Sequence, residues 1–136
     1  MVTAMILAGG VGSRVGAECP KQFIEVFGKP ILAYTIEIYQ KNSQVEAIEI
    51  VCHEDWIDYL KKMIKKYDLS KVRWITQGGK TFQESVINGM KYLKDKLNMD
   101  DIVMIHYGAA PFSSQHIIQD GIEKCKKYGM SVSCTP

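Results

Sequence analysis

Five short apolar runs, separated by stretches of helical periodicity, set the layout of this 136-residue chain. The runs at 3–8, 46–52, 72–76, 101–106 and 130–134 are rich in Val, Ile or Met and too short for helices, so they are predicted as strands. Between them, 31–41, 54–67, 80–96 and 114–127 carry apolar residues at three- and four-residue intervals and are predicted as helices. Over 54–67, Trp56, Tyr59, Leu60, Met63 and Ile64 share one stripe, which reads as core packing, while Lys61, Lys62, Lys65 and Lys66 form a solvated face. Gly28-Lys29-Pro30 reads as a turn that starts the first helix, with proline in its first turn. Strands alternating with helices imply an α/β fold built on a mostly parallel, doubly wound, Rossmann-like sheet covered on both faces. No internal repeat or low-complexity linker interrupts the pattern.

Ligands of such sheets bind beyond the carboxyl ends of the strands. Three loops fall there: the glycine loop after the first strand, Gln77-Gly78-Gly79, and His106-Tyr107-Gly108. The first, Leu7-Ala8-Gly9-Gly10-Val11-Gly12-Ser13-Arg14, is followed by Pro20-Lys21-Gln22. Glycines at 9, 10 and 12 allow a sharp bend whose N–H groups approach an anion without Cβ interference. Arg14 and Lys21 add a planar fork and a mobile point charge, a combination suited to a triphosphate. The glycines alone serve a plain strand-to-helix turn equally well. A Walker A loop is excluded, because no Gly-Lys-Ser/Thr closes the motif. A dinucleotide fingerprint fits poorly: Gly16 falls one residue late and no acidic residue stands between Gly28 and Tyr34.

Composition narrows the classes further. With 46% hydrophobic residues, the chain has the apolar material for one domain with a real core. A net charge of +2 with dispersed basic residues predicts no nucleic-acid partner. The lack of a membrane-length apolar run or signal-peptide leader predicts a cytoplasmic chain with no membrane partner. Cys19, Cys52, Cys125 and Cys134 show no C-x-x-C spacing and read as free thiols. Cys52 and Cys134 fit strand interiors, and Cys19 reads as a loop filler. His53 and His116 are isolated from other metal-ligand types.

The segment LAGGVGSRVGAECPKQFIEVFGKPILAYTIE, together with GGKTFQESVINGM (78–90) and DIVMIHYGAAPF (101–112), closely resembles the 2-C-methyl-D-erythritol 4-phosphate and ribitol-5-phosphate cytidylyltransferase family. The Pro20-Lys21-Gln22 element, at its spacing from the glycine loop, makes the resemblance specific. It implies a sheet of the nucleotide-diphosphosugar transferase type and transfer of CMP from CTP to a phosphorylated polyol, with Mg2+ present and pyrophosphate released. Such chemistry serves isoprenoid or teichoic acid and capsule synthesis. By resemblance, Arg14 and Lys21 neutralise charge on the α-phosphate. The nucleotide meets Ala8, Gly9, Gly10, Gly12, Gly78, Gly79, Lys80, Ser85 and Gly108, while Asn88 and Gly89 are assigned to packing. Residues 1–136 read as the N-terminal, nucleotide-binding portion of such a domain, with a sheet incomplete at its C-terminus. Full-length relatives continue into a dimerisation arm and acceptor-binding residues, and a homodimer is expected of them.

Three departures accompany the resemblance. Tyr107 stands where the family has its metal-binding aspartate, so no metal ligand is assigned there. Ala110 and Phe82 stand where it has arginines. Magnesium prefers hard carboxylate and phosphate oxygens, and a neutral phenol substitutes poorly. The departures imply impaired turnover and inactivity of the 136-residue chain alone. A non-catalytic nucleotide-binding or regulatory member is the first alternative, and a uridylyl- or guanylyltransferase making a nucleotide sugar is the second. His53-Glu54-Asp55-Trp56 faintly resembles the ribitol-phosphate branch, which leaves the acceptor open.

Overall fold

The structure is a computed structural model and describes residues 1–10 and 18–136. In chain order its elements are β1 (Val2–Ala8), the short strands β2 (Glu25–Val26) and β3 (Lys29–Pro30), α1 (Ile31–Gln40), β4 (Ala47–Cys52), α2 (Ile57–Lys66), β5 (Val72–Gln77), α3 (Phe82–Leu93), β6 (Ile102–Tyr107) and α4 (Gln115–Tyr128). Single 3-10 turns occupy Lys21–Phe23 and Glu54–Trp56. The main sheet has the order β5-β4-β1-β6, and every pairing in it is parallel. The doubly wound α/β reading is correct.

Side-chain alternation explains the two covered faces. Ala4, Ile6 and Ala8 of β1 lie with Ile48, Ile50 and Cys52 of β4 on one face, packed against Leu32 and Ile36 of α1, Leu60 of α2, and Ile118 and Ile122 of α4. Met5, Leu7 and Val51 point to the other face, where Val86 and Leu93 of α3 cover them. Gly89 lets α3 come close: a Cβ there would stand 2.8 Å from Met5 Cε and 2.9 Å from Val51 Cγ2. The packing role assigned to Gly89 is therefore visible. All seven residues of β1 are buried, as expected of a central parallel strand.

The four sheet strands and four helices fall within a few residues of their expected places. The fifth expected strand, 130–134, is absent. Gly129 caps α4 in the left-handed conformation (φ 84°), and Met130 and Val132 beyond it are 75% and 79% exposed. A strand needs a neighbour for its backbone groups, and this segment has none among the described residues. Cys134 is accordingly exposed rather than inside a strand, whereas Cys52 is buried. Pro30 precedes α1 as its N-cap with ψ 142°, one position outside the helix. The chain reaches it through the two-residue β2–β3 hairpin, whose loop residues Phe27 (φ 53°) and Gly28 (φ 74°) both adopt the positive φ of a tight hairpin turn.

Candidate functional site

The carboxyl ends of β1, β4 and β5 meet at a junction made mostly of backbone. Gly78 N–H donates to Cys52 O at 2.8 Å, so the loop after β5 folds back over the end of β4. There the glycine backbones of two loops touch: a Cβ on Gly78 would lie 3.3 Å from Gly9 Cα. Ser85 fills the remaining space, its Oγ standing 3.1 Å from where a Gly9 Cβ would be and accepting from Gly79 N–H at 3.1 Å. Gly79 is required by closeness as well, because a Cβ would stand 2.3 Å from Glu84 Cβ. Ser85 is buried, not the exposed helical residue that its sequence position alone suggests.

Local chemistry places Ser85. Thr81 caps α3, its Oγ1 accepting from Glu84 N–H at 3.1 Å, while the Glu84 carboxylate accepts from Lys80 N–H at 2.6 Å. These two bonds start the helix at Phe82, so that Ser85 lies one turn in and faces the glycines. The Lys80 side chain is exposed.

Ala8 ends β1 and is buried; its carbonyl accepts from His53 N–H at 3.3 Å and from Gln22 Nε2 at 2.9 Å. The same Gln22 amide donates to Gly10 O at 2.8 Å. Gln22 is itself buried, so one side chain ties the 3-10 turn bearing the exposed Lys21 to the start of the glycine loop. In the sequence Gln22 stands out only as the third residue of the Pro20-Lys21-Gln22 element. Its signal was a long amide beside the apolar Phe23, where an unbonded polar group would be costly. Gly12 and Arg14 lie outside the described residues.

Gly108 holds a different position. Its N–H donates to Leu7 O at 2.8 Å, its carbonyl accepts from Thr35 Oγ1 at 2.7 Å, and a Cβ would stand 2.9 Å from Leu7 O. It packs the end of β6 against β1 and α1. Ala110 is half-buried in the turn that follows. His106 Nε2 lies 2.8 Å from Ser113 Oγ, its ring sits edge-on to Tyr39, and burial pushes the imidazole below its usual value. Burial likewise pushes the Cys52 thiol up to about 12, which leaves it an unreactive wall of the core.

Among the described residues no group of three His, Cys, Asp or Glu side chains is placed to hold a metal ion. The end of β6 offers the Tyr107 phenol, and the Glu84 carboxylate on α3 is engaged with Lys80 N–H. No helix among the described residues is long and apolar enough to cross a membrane.

The junction therefore packs two loop backbones around the Ser85 hydroxyl, which accepts from Gly79 N–H and keeps its own hydrogen to donate, while Gly78 N–H and Lys80 N–H are bonded within the chain. A hydroxyl of that kind can read the polar edge of a flat ring at close range. A family profile described as 2-C-methyl-D-erythritol 4-phosphate cytidylyltransferase (IspD) matches residues 2–136. The chain is 41% identical over 136 residues to a ribitol-5-phosphate cytidylyltransferase of Lacticaseibacillus paracasei, covering all of itself and 58% of that protein. It is 45% identical over 129 residues to a 2-C-methyl-D-erythritol 4-phosphate cytidylyltransferase of Clostridium novyi, covering 94% of itself and 54% of the relative. The chain thus spans a little over half the length of these relatives. The crystal structure of 4-diphosphocytidyl-2C-methyl-D-erythritolsynthase from Anaerococcus prevotii superposes with a TM-score of 0.73 at 27% identity, over 93% of this chain and 51% of that one.

Proposed function

The chain belongs to the 2-C-methyl-D-erythritol 4-phosphate cytidylyltransferase family, and on that premise we propose that it forms the nucleotide-gripping portion of an enzyme that transfers CMP from CTP to a phosphorylated polyol. D-Ribitol 5-phosphate and 2-C-methyl-D-erythritol 4-phosphate are the two acceptors its relatives' names support. The observation that carries this reading is the contact of Gly9, Gly78, Gly79 and Ser85 at the carboxyl edge of the sheet.

In the proposed reaction a phosphate oxygen of the polyol attacks the α-phosphorus of CTP, a new P–O bond forms, and the bond to the leaving pyrophosphate breaks. The protein has little covalent work to do, so its contribution is positioning and charge neutralisation. Arg14 and Lys21 are the proposed cations on the phosphates. Backbone groups of Ala8, Gly9, Gly10 and Gly12 line the triphosphate, with Gly108 at the neighbouring strand end. Gly78, Gly79, Lys80 and Ser85 hold the cytosine. Mg2+ is proposed to arrive with the triphosphate. The residues at the end of β6 do not fit it, since a phenol and an alanine replace hard or charged groups, and no step here passes through the metal.

Those same replacements favour a second reading, in which the chain binds CTP and turns it over slowly or not at all. Loss of one electrostatic contact in such a site commonly costs on the order of 10²–10³ in rate. A pyrophosphate-release assay with CTP, Mg2+ and each polyol phosphate separates the two. The expected outcome is little or no release by the chain and a gain of at least ten-fold for the double variant Tyr107→Asp, Ala110→Arg. Rapid release by the unaltered chain would refute the impairment. Failure of CTP to bind at all would refute the nucleotide reading.

A further inference from the structure

The two aromatic departures meet in space. Phe82, the first residue of α3, and Tyr107, the last of β6, have ring centroids 5.3 Å apart and planes tilted by 34°. The rings are not core: Phe82 is 45% exposed and Tyr107 61%. Both lie on the α3 side of the sheet. Tyr107 pairs with Leu7, which belongs to the packed cluster on that face, and Leu7 is two residues before Gly9. Phe82 precedes Ser85 by three residues, so the two share one side of α3. The hydroxyl that closes the Gly9–Gly78–Gly79 junction is thus flanked, a turn away, by a broad π surface.

We propose that Phe82 and Tyr107 form a stacking platform that takes the flat face of the nucleoside while the glycine junction takes its polar edge. This rests on the nucleotide-binding reading above and assigns both residues as positioning residues for the ring. The physical grounds are threefold. An exposed aromatic pair beside polar backbone is matched by a ligand with an apolar face and a polar rim. A tilted pair leaves ring surface free that a dry, face-to-face stack would hide. Neither ring brings charge, so the platform cannot replace a metal-holding carboxylate and guanidinium in kind; it exchanges a grip on phosphate for a grip on the base. Stacking of a base on a protein aromatic contributes on the order of 5- to 150-fold in affinity.

The test compares cytidine, CTP without metal, and inorganic tripolyphosphate, titrated calorimetrically into the unaltered chain, Phe82→Ala and Phe82→Trp. The expected result is that Phe82→Ala weakens cytidine and CTP in parallel by five-fold or more and leaves tripolyphosphate within two-fold. Phe82→Trp should restore the affinity, with its added indole fluorescence quenched by cytidine. Equal cytidine affinity in the unaltered chain and Phe82→Ala overturns the platform, as does loss of tripolyphosphate binding in step with cytidine. If the unaltered chain binds neither cytidine nor CTP, the nucleotide reading fails and the platform with it. If it binds CTP with no dependence on residue 82, the platform alone fails. Should Phe82→Ala melt far below the parent, Phe82→Leu replaces it in the series, and undiminished cytidine binding by that variant is equally fatal.

Discussion

Glu49 occupies the middle of β4, in Ala47-Ile48-Glu49-Ile50-Val51-Cys52, and is fully buried. Its Oε1 accepts from Thr76 Oγ1 at 2.7 Å, and Oε2 has no partner among the described residues. Burial pushes the carboxyl up to about 7, against the smaller opposing pulls of the Thr76 hydrogen bond and Lys96. The folded chain therefore holds this proton over a range where the unfolded chain has released it. Its contribution to stability is greatest below the ordinary carboxyl value and falls as the pH rises from about 4.5 to about 7. Between pH 5 and 8 the loss should be on the order of 2 kcal/mol. Glu49→Gln keeps the bond from Thr76 and removes the titration. Urea denaturation should find the variant close to the parent at pH 5 and clearly more stable at pH 8; parallel behaviour at both would contradict the assignment. His106 works in the opposite sense. Its lowered value makes stability fall as the pH drops through the usual imidazole range, and Glu49→Gln should leave that acid limb untouched.

Among elements, the join between β1 and the Lys21–Phe23 turn has the clearest energetic handle. One buried amide satisfies two carbonyls there, those of Ala8 and Gly10. Gln22→Glu would turn both donors into an acceptor facing two acceptors. Ala8 O would keep His53 N–H and Gly10 is exposed, so the cost comes from a carboxylate buried against two carbonyls, about 1–3 kcal/mol or more for a charged group. A loss on the order of 3 kcal/mol in chemical denaturation is expected, with CTP affinity falling alongside. A stability change under about 0.5 kcal/mol would mean that the clamp is dispensable. Elements of this kind are the hardest to read beforehand. The sheet strands announced themselves as short apolar runs and the helices by period, because burial on both faces or on one leaves its own mark. The strands Glu25–Val26 and Lys29–Pro30 are two residues each and leave none. The reverse error occurred at 130–134, where Met130 and Val132 alternate with serines as a strand should, yet the segment has no paired neighbour.

For the whole molecule, strand ends placed the glycine loop, Gln77-Gly78-Gly79 and His106-Tyr107-Gly108 at one edge and the resemblance added Ser85; the structure brings Gly9, Gly78, Gly79 and Ser85 into contact, with Gly108 packed on β1 and α1 instead. What the sequence could not show is which contacts are made by side chains distant along the chain. The Gln22 bonds and the meeting of Phe82 with Tyr107 depend on how two loops and a helix close over the sheet. Ligand choice is likewise a property of the assembled edge. A nucleotide at 100 times its Kd stabilises its host by roughly 2.7 kcal/mol, which for a domain of this size corresponds to roughly 10 °C in Tm. CTP should give the largest shift when compared with UTP and GTP at equal concentration. A larger shift with UTP or GTP would move the assignment to enzymes that make nucleotide sugars.

The central strand has an additional bearing on how this protein is made. Thr3 is flanked by Ala47 on one side and Val103 on the other. The residues of β1 thus leave the ribosome well before the strand that completes their pairing. At roughly 5–20 residues per second, several seconds of synthesis separate the birth of that segment from the arrival of its second neighbour. Through that interval Met5, Ile6 and Leu7 stay open to chaperones and to one another on neighbouring nascent chains. Slowing translation before residue 102 should therefore raise the aggregated fraction without altering the finished fold.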